Sequence, residues 1–225
     1  MDALVDMLKN HGAKTVAVFY QDDGFGLAVL SGTEKALKKR GMQVAAKGTF
    51  QRNTLAIKGG MAAMLEARPD AVVMVGTYAP LAAFIKEARA AGLKAQLATV
   101  SFVGTDNLVA EVGKAGDGVL ISQVVPFPAD DDLAVTRECR EVVKAHSGEA
   151  LGFVNFEGCI TAKVMVAALE RAGKEPSREA LVGALRGMQG VDLGGLRVGF
   201  AADNHQASST VFLTQIRDGR ITKLR

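Results

Sequence analysis

From residue 13 to residue 125 the chain alternates between short strand patterns and longer helix patterns, and this alternation constrains its fold most. The strand patterns are compact runs of β-branched and aromatic residues, whereas the helix patterns repeat apolar residues every three to four positions. Parallel strands need crossovers of this length, which are usually helical and right-handed. The alternation therefore predicts an α/β lobe with a doubly wound parallel sheet and helices on both faces. The predicted strands cover residues 15–20, 43–50, 71–75, 96–100 and 118–125.

Helix patterns fill the spaces between these strands. A short lead-in helix is predicted within residues 1–12, and longer helices are predicted over 25–40 and 81–91. A further helix is predicted over residues 54–67, with Leu55 on its apolar face. Each predicted helix ends at a glycine or proline, which is typical of a helix C-terminus.

The pattern changes after residue 125. Pro126-Phe127-Pro128 stiffens the chain, and three helix patterns then follow without intervening strands. Three strand patterns close the chain, and without β-α-β alternation we expect them not to continue the first sheet. We therefore place a lobe boundary at residues 123–128, with residues 126–225 as a second portion. The predicted helices cover residues 132–146, 155–172 and 177–186, and the strands cover 196–200, 210–217 and 221–224.

Charge and hydropathy exclude several classes of protein. The net charge of +3 arises from 27 basic and 24 acidic residues that are mixed along the chain. No nucleic-acid partner and no anionic membrane surface is expected for such a distribution. Apolar runs stay below the roughly 18 residues of a membrane span. Residues 1–12 carry two acids and lack the apolar core of a signal peptide.

The chain has two cysteines, Cys139 and Cys159. Two are too few for a disulfide scaffold or a zinc cluster. Both lie in apolar, helix-like stretches, so we expect buried free thiols.

No set of residues with catalytic spacing is present. The three histidines lie in unrelated contexts, and the sequence contains no nucleotide-binding glycine loop and no nucleophile elbow. Asp22-Asp23 resembles the acidic pair of a phospho-acceptor domain, but the third predicted strand does not end in an aspartate. One of the two aspartates is therefore expected to cap the following helix. We predict no catalytic residue, no metal site and no cofactor.

The loops after the strands form the candidate binding site. Ligands of open α/β sheets bind beyond the carboxyl ends of the strands. The loops at residues 22–26, 76–80 and 100–104 bring aromatic rings, hydroxyls and glycines to that edge. Apolar walls with a few polar groups suit a small organic molecule. The predicted ligand-binding residues are Phe25, Gly26, Thr77, Tyr78, Ser101 and Phe102; Phe25 can instead belong to the core.

Several segments together resemble one family. The segments are residues 14–26 (KTVAVFYQDDGFG), 68–80 (RPDAVVMVGTYAP), 82–92 (AAFIKEARAAG), 123–128 (QVVPFP), 156–173 (FEGCITAKVMVAALERAG), 194–200 (GGLRVGF) and 211–220 (VFLTQIRDGR). Their order and spacing over nearly the whole chain are similar to those of the branched-chain-amino-acid-type (Leu/Ile/Val-binding-like) substrate-binding proteins of ABC transporters, which have the type 1 periplasmic binding fold.

This resemblance implies a domain organisation. Residues 13–125 correspond to the complete second lobe of the family fold. Residues 126–225 correspond to the hinge and the returning segments of a first lobe that is incomplete here. The chain therefore resembles a family member that is shortened at its N-terminus.

The resemblance also implies a function without catalysis. The full-length protein is expected to be a periplasmic solute-binding component of an ABC importer, which closes two lobes on an amino acid or carboxylate and signals the permease. By position, Phe25, Tyr78 and Ser101 correspond to residues of the second lobe that contact the solute. Ser101 and Phe102 stand where the family's amino-acid binders can place an acid, so an aromatic or aliphatic carboxylate is at least as plausible a solute as an α-amino acid.

Two other functions remain open on the sequence. The first is a ligand-sensing regulatory domain, because the same fold serves in effector domains of transcription regulators and in amide sensors. The second is an enzyme on a doubly wound sheet. Neighbouring permease and ATPase genes would favour import over sensing.

Association between copies is a further expectation. The helix predicted over residues 155–172 carries an apolar stripe of Ile160, Val164, Ala167 and Ala168. An incomplete first lobe would leave this stripe exposed, and exposed apolar patches usually find a partner. We expect two copies to associate and to shield it.

Overall fold

A parallel sheet runs through the first part of the chain, as the alternation predicts. In the computed structural model, which describes residues 1–201 and 203–224, five strands pair in parallel in the order β2-β1-β3-β4-β5. All six residues of β1 and all five of β3 are buried, because helices cover both faces of the sheet. The strands are β1 (Val16–Gln21), β2 (Val44–Phe50), β3 (Ala71–Val75), β4 (Gln96–Val100) and β5 (Leu120–Gln123).

Five helices accompany these strands, and the cores on the two sheet faces confirm the doubly wound prediction. One core is built around the stacked rings of Phe19 and Phe84, whose centroids are 4.1 Å apart. The other contains Val18 and Val73 and includes Leu8 of the first helix. The helices are α1 (Asp2–Asn10), α2 (Gly24–Lys38), α3 (Lys58–Ala67), α4 (Tyr78–Ala90) and α5 (Thr105–Val112).

Two helix boundaries differ from the prediction. Helix α3 begins at Lys58 rather than at residue 54, so Leu55 lies in the loop after β2 instead of on a helix face. Helix α4 begins at Tyr78, three residues before the predicted start. Pro80 is tolerated there because the first turn of a helix needs no hydrogen bond from its amide.

Three helices and a short ladder follow. They are α6 (Ala134–Ser147), α7 (Phe153–Ala172), α8 (Arg178–Gly187), β6 (Val191–Asp192) and β7 (Arg197–Val198). Strands β6 and β7 pair antiparallel, so the strand predicted over 196–200 is reduced to two ladder residues. No helix in the described ranges is long and apolar enough to cross a membrane.

The two closing strands, β8 (Phe212–Arg217) and β9 (Arg220–Lys223), join the first sheet beside β5. The prediction that they leave this sheet is therefore wrong. The Ile216 carbonyl accepts a hydrogen bond from the Gly118 amide (2.8 Å), and the Ile216 amide donates to the Val119 carbonyl (3.0 Å). These bonds satisfy backbone groups at the edge of β5 that would otherwise stay unpaired.

The chain accordingly divides into two compact units. Unit 1 comprises Met1–Gln123 and Leu213–Arg225, and unit 2 comprises Val124–Phe212. The first division falls at the predicted boundary, but the last strands belong to unit 1.

In unit 2, Cys139 of α6 and Cys159 of α7 form a disulfide. The prediction of two free thiols is wrong, because the packing of the two helices brings the Cα atoms to 5.9 Å, within the range that a disulfide spans. Sequence spacing alone did not show that these two helices are neighbours.

The prediction of an exposed stripe on α7 is also wrong. Ile160 and Ala168 are buried, and Val164 and Ala167 are partly buried, because α7 packs against both α6 and α8. The exposed apolar residues of α7 lie on another face; they are Val154, Met165, Val166 and Leu169.

Candidate functional site

The exposed large apolar side chains of unit 1 lie along one edge of its sheet. Among the described residues of this unit they are Leu27 (50% exposed), Leu55 (62%), Tyr78 (39%) and Phe102 (66%). Each follows a different parallel strand, in the order β1, β2, β3 and β4. Because the carboxyl ends of parallel strands meet at one edge, these side chains form an apolar rim where open α/β sheets bind ligands.

Two of the predicted residues meet in an aromatic pair. The rings of Phe25 and Phe102 have centroids 4.4 Å apart and planes inclined by 41°. Phe25 is partly buried and also packs against the core, as the alternative interpretation of this residue expected; its role in ligand binding stays a prediction. Phe102 is held by Phe25 on one side and leaves a large apolar surface open to solvent.

Thr77 and Tyr78 mark the start of α4. Thr77 is the N-cap residue, and no hydrogen bond from a described side chain caps this end. The Leu81 amide is the first to bond within the helix, to the Thr77 carbonyl (3.4 Å). The amides of Tyr78 and Ala79 therefore precede the hydrogen-bonded part of the helix. Together with the helix dipole, they favour a negatively charged group at this end.

Ser101 begins a short 3₁₀ turn, Ser101–Val103, after β4. Its carbonyl accepts a hydrogen bond from the Gly104 amide (3.1 Å). Gly104 has a φ of +80°, and a methyl group placed on it would lie 3.7 Å from Cδ1 of Tyr78. The Tyr78 ring thus lies next to this turn, and the loops after β3 and β4 share one surface.

Gly26 has a structural role at this edge. Its amide donates to Oδ1 of Asp23 (3.0 Å), and an added Cβ would come within 1.8 Å of the Gln21 carbonyl oxygen. Its amide is therefore occupied, and only glycine fits. The predicted helix cap is confirmed, because Asp23 is the N-cap residue of α2.

Asp23 is stabilised as a carboxylate. The Gly26 amide lowers the pKa of Asp23, and the Gln21 side chain and the charge of Arg52 lower it further. Nη1 of Arg52 lies 3.9 Å from Oδ2 of Asp23, and 68% of the Arg52 side chain is exposed. Arg52 thus brings a positive charge to the rim that is only loosely paired.

Leu27, Arg52 and Leu55 are absent from the predicted site. That site uses the loops after three strands and leaves out the loop after β2, where the helix pattern already begins at residue 54. Applying the strand-end rule to all four parallel strands would have included this loop.

The described residues hold no cluster of three or more metal-ligating side chains. The rim instead combines apolar rings, hydroxyls, helix amides and one guanidinium. Such a surface can bind and orient a small molecule that has an apolar body and a negatively charged group.

Comparison with protein families gives one match. A family model described as periplasmic binding protein matches residues 1–220. Among curated protein sequences, none matches this chain.

Solved structures resemble the chain along its whole length. A structure described as a possible leucine/isoleucine/valine-binding protein from Rhodopirellula baltica is 32% identical, with a TM-score of 0.93; the match covers 100% of this chain and 63% of that one. A substrate-binding periplasmic protein from Ralstonia solanacearum is 27% identical, with a TM-score of 0.86 and coverage of 99% and 65%.

A third structure supports the fold alone. It is a branched-chain amino acid ABC transporter protein from Thermus thermophilus with bound valine, 21% identical, with a TM-score of 0.84 and coverage of 100% and 63%. The chain thus spans less than two thirds of the length of each of these proteins.

Proposed function

Because the chain belongs to the periplasmic binding protein family, we propose that it acts as the solute-binding component of an ABC importer, binds a small amino acid or organic carboxylate, and catalyses no reaction. The observation that carries this proposal is the apolar rim of unit 1. The exposed large apolar residues of this unit lie at the strand ends and nowhere else among its described residues. Exposed apolar groups with a few polar groups between them are typical of ligand sites.

Different rim residues would contact different parts of the solute. Phe102, backed by Phe25, would cover the apolar part of the solute, with Leu27 and Leu55 beside it. The amides of Tyr78 and Ala79 would meet a carboxylate, since helix N-termini favour anions.

The relatives suggest which solutes to test first. The 32% identical structure is described as a possible leucine/isoleucine/valine-binding protein, which makes branched-chain amino acids the first candidates. Asp23 accepts hydrogen bonds from Gly26 and Gln21, so it has less capacity left to hold an ammonium group. Aliphatic and aromatic carboxylates are therefore the second candidates.

The disulfide agrees with a location outside the cytoplasm. Disulfides form and persist in oxidising compartments such as the bacterial periplasm. Cys139 and Cys159 pair within unit 2. We therefore propose that the full-length protein works in the periplasm, where it would deliver its solute to a permease.

The length of the relatives bears on affinity. Because this chain spans 63–65% of their length, we propose that the rim is one wall of the solute site and that further residues complete it. Charge-assisted hydrogen bonds contribute about 1.5–3 kcal/mol each, so the loss of two lowers affinity by roughly a hundredfold or more. This chain alone should therefore bind its solute with a Kd of about 1 mM or weaker.

Tyrosine fluorescence tests this proposal. The chain has no tryptophan and only two tyrosines, of which Tyr20 is buried in β1 and Tyr78 lies on the rim. In a Tyr20→Phe background, titration with leucine, valine and short aliphatic or aromatic carboxylates should change the Tyr78 emission with a saturable, millimolar dependence.

A matched pair of variants localises the site. Leu55→Ala on the rim should weaken solute binding severalfold. Full burial of a leucine side chain contributes about 1.5–3 kcal/mol, and the solute would bury Leu55 only in part. Leu169→Ala, an exposed leucine of α7, should leave the affinity unchanged. Equal loss in both variants, or no saturable signal with any of these solutes, would contradict the proposed site.

A further inference from the structure

Helix α8 presents a basic stripe with an apolar centre. It has no buried residue, although it contacts α7. Arg178, Val182 and Arg186 follow one another at intervals of four residues, which places them on one side of the helix. Val182 is 44% exposed, and neither arginine takes part in an ion pair with any described residue.

The same unit contains an acidic groove with an apolar floor. The groove lies between α6 and α7 and has a volume of about 1030 Å³. Val142 and Val166 line it and are 59% and 54% exposed. Four further lining residues carry negative charge and form no ion pair within the described part of the chain; they are Glu141, Glu149, Glu170 and Asp192.

The groove is fixed in its shape before anything binds. The Cys139–Cys159 disulfide joins its two helices covalently. The Lys163 ammonium also donates a 2.5 Å hydrogen bond to Glu138 across the same two helices. A preformed surface loses less conformational entropy on binding, which favours association.

We propose that the groove of one copy receives the α8 stripe of a second copy, so that unit 2 mediates self-association. Val182 would lie between Val142 and Val166, and the two arginines would reach the unpaired glutamates at the groove edges. Opposite charges at an edge set the register of a complex and exclude wrong partners.

Two-fold symmetry increases the total area that this association buries. A stable interface usually buries about 1,200–2,000 Å² in total, which is more than one ten-residue helix supplies. A two-fold dimer uses each groove and each stripe once per copy and therefore contains the contact twice. This inference goes beyond the proposed solute binding and does not depend on it.

Variants that exchange the charges of the α8 arginines and the groove glutamates test the proposal. Their oligomeric state is measured by light scattering coupled to gel filtration, and circular dichroism checks that they are folded. The wild-type chain should be dimeric at micromolar concentration. Arg178→Glu with Arg186→Glu should weaken the dimer at least tenfold. Adding Glu141→Arg and Glu170→Arg to the same chain should restore the dimer. These changes would not restore it if the arginine reversals acted only by disturbing the fold. Arg217→Glu with Arg220→Glu, on the β8–β9 hairpin of unit 1, is the control and should leave the dimer intact.

Hydrogen exchange of the wild-type chain gives an independent measurement. Amides in α6 and α8 should become more protected as the concentration rises, whereas those in α3 and α4 should not change. A monomeric wild-type chain, a dimer insensitive to the arginine reversal, or a failure of the glutamate exchange to restore it would overturn the proposal.

Discussion

The two units expose apolar side chains in different ways. Unit 1 has four exposed large apolar residues among those described, and each lies in the loop or helix start that follows a parallel strand. Unit 2 is shorter but exposes eight, which are spread over three helices and the segments at its two ends. A cluster of apolar residues at strand ends is typical of a ligand site, whereas apolar residues along helix faces are typical of surfaces that pack against another structure.

The largest expected effect is the loss of the disulfide from unit 2. The bond closes a loop of 20 residues, so Cys139→Ala with Cys159→Ala should lower the free energy of unfolding of this unit by about 3 kcal/mol. Hydrogen exchange should accelerate in α6 and α7 but not in β1, β3 or α4. Equal acceleration in both units would show that the units unfold together and would remove the distinction drawn between them.

The next effect belongs to unit 1. Gly26→Ala would place a methyl group 1.8 Å from the Gln21 carbonyl oxygen, so the backbone must move and the Asp23 cap must weaken. We expect a loss of about 2–3 kcal/mol in the stability of unit 1, measured by urea unfolding. Gly24→Ala is the matched control, because a Cβ there meets nothing within 4 Å. A loss no larger than that of the control would show that the turn before α2 yields easily.

A smaller effect is expected at the carboxyl end of β5. The buried Gln123 amide donates to the hydroxyls of Thr105 (3.0 Å) and Thr214 (3.2 Å), which joins β5, α5 and β8. Gln123→Leu should lower the stability of unit 1 by about 1–2 kcal/mol, because the Thr105 hydroxyl then lies buried without this partner. The protection of β8 amides should fall with it. Unchanged protection of β8 would show that the backbone ladder alone holds the closing strands.

The smallest effect concerns α1 and acid. The pKa of Asp2 is lowered from 3.8 to about 2, chiefly by a hydrogen bond from Lys39 and secondly by one from Arg40. Because this pKa is lower in the folded state, the contribution of Asp2 to stability is present above pH 4 and is lost as the pH falls towards 2. Methyl resonances of Leu8 in α1 should shift over this range, whereas those of Leu97 in β4 should not. A pH response that persists when Lys39→Met and Arg40→Met are combined would contradict this assignment.

The parallel part of unit 1 was predicted well from the sequence, because β1 and β3 are nearly continuous apolar runs and the helices between the strands end close to a glycine or proline. The closing strands were assigned wrongly, since β8 joins the sheet beside β5, which lies about 90 residues earlier in the chain, and only the tertiary fold brings the two together. The disulfide was missed for the same reason, because helix packing and not local sequence sets the distance between Cys139 and Cys159.

The candidate site was predicted in part. Phe25, Tyr78 and Phe102 follow strand ends directly, and the structure brings Phe25 and Phe102 into contact. The loop after β2 was missed because the helix pattern extended too far towards the strand and hid Leu55. The occupied amide of Gly26 is the predicted helix cap, but the sequence left open whether Asp22 or Asp23 would form it.

The central claim is that the strand-end edge of unit 1 binds a small solute, and NMR of the ¹⁵N-labelled chain tests it most directly. Leucine and a short aliphatic carboxylate would be titrated to tens of millimolar, well above the expected Kd of about 1 mM. We predict saturable shifts at residues 24–27, 52–55, 77–79 and 101–104, with the signals of unit 2 unchanged. Shifts that cluster in unit 2, or their absence from all four strand-end loops at saturating solute, would contradict the account.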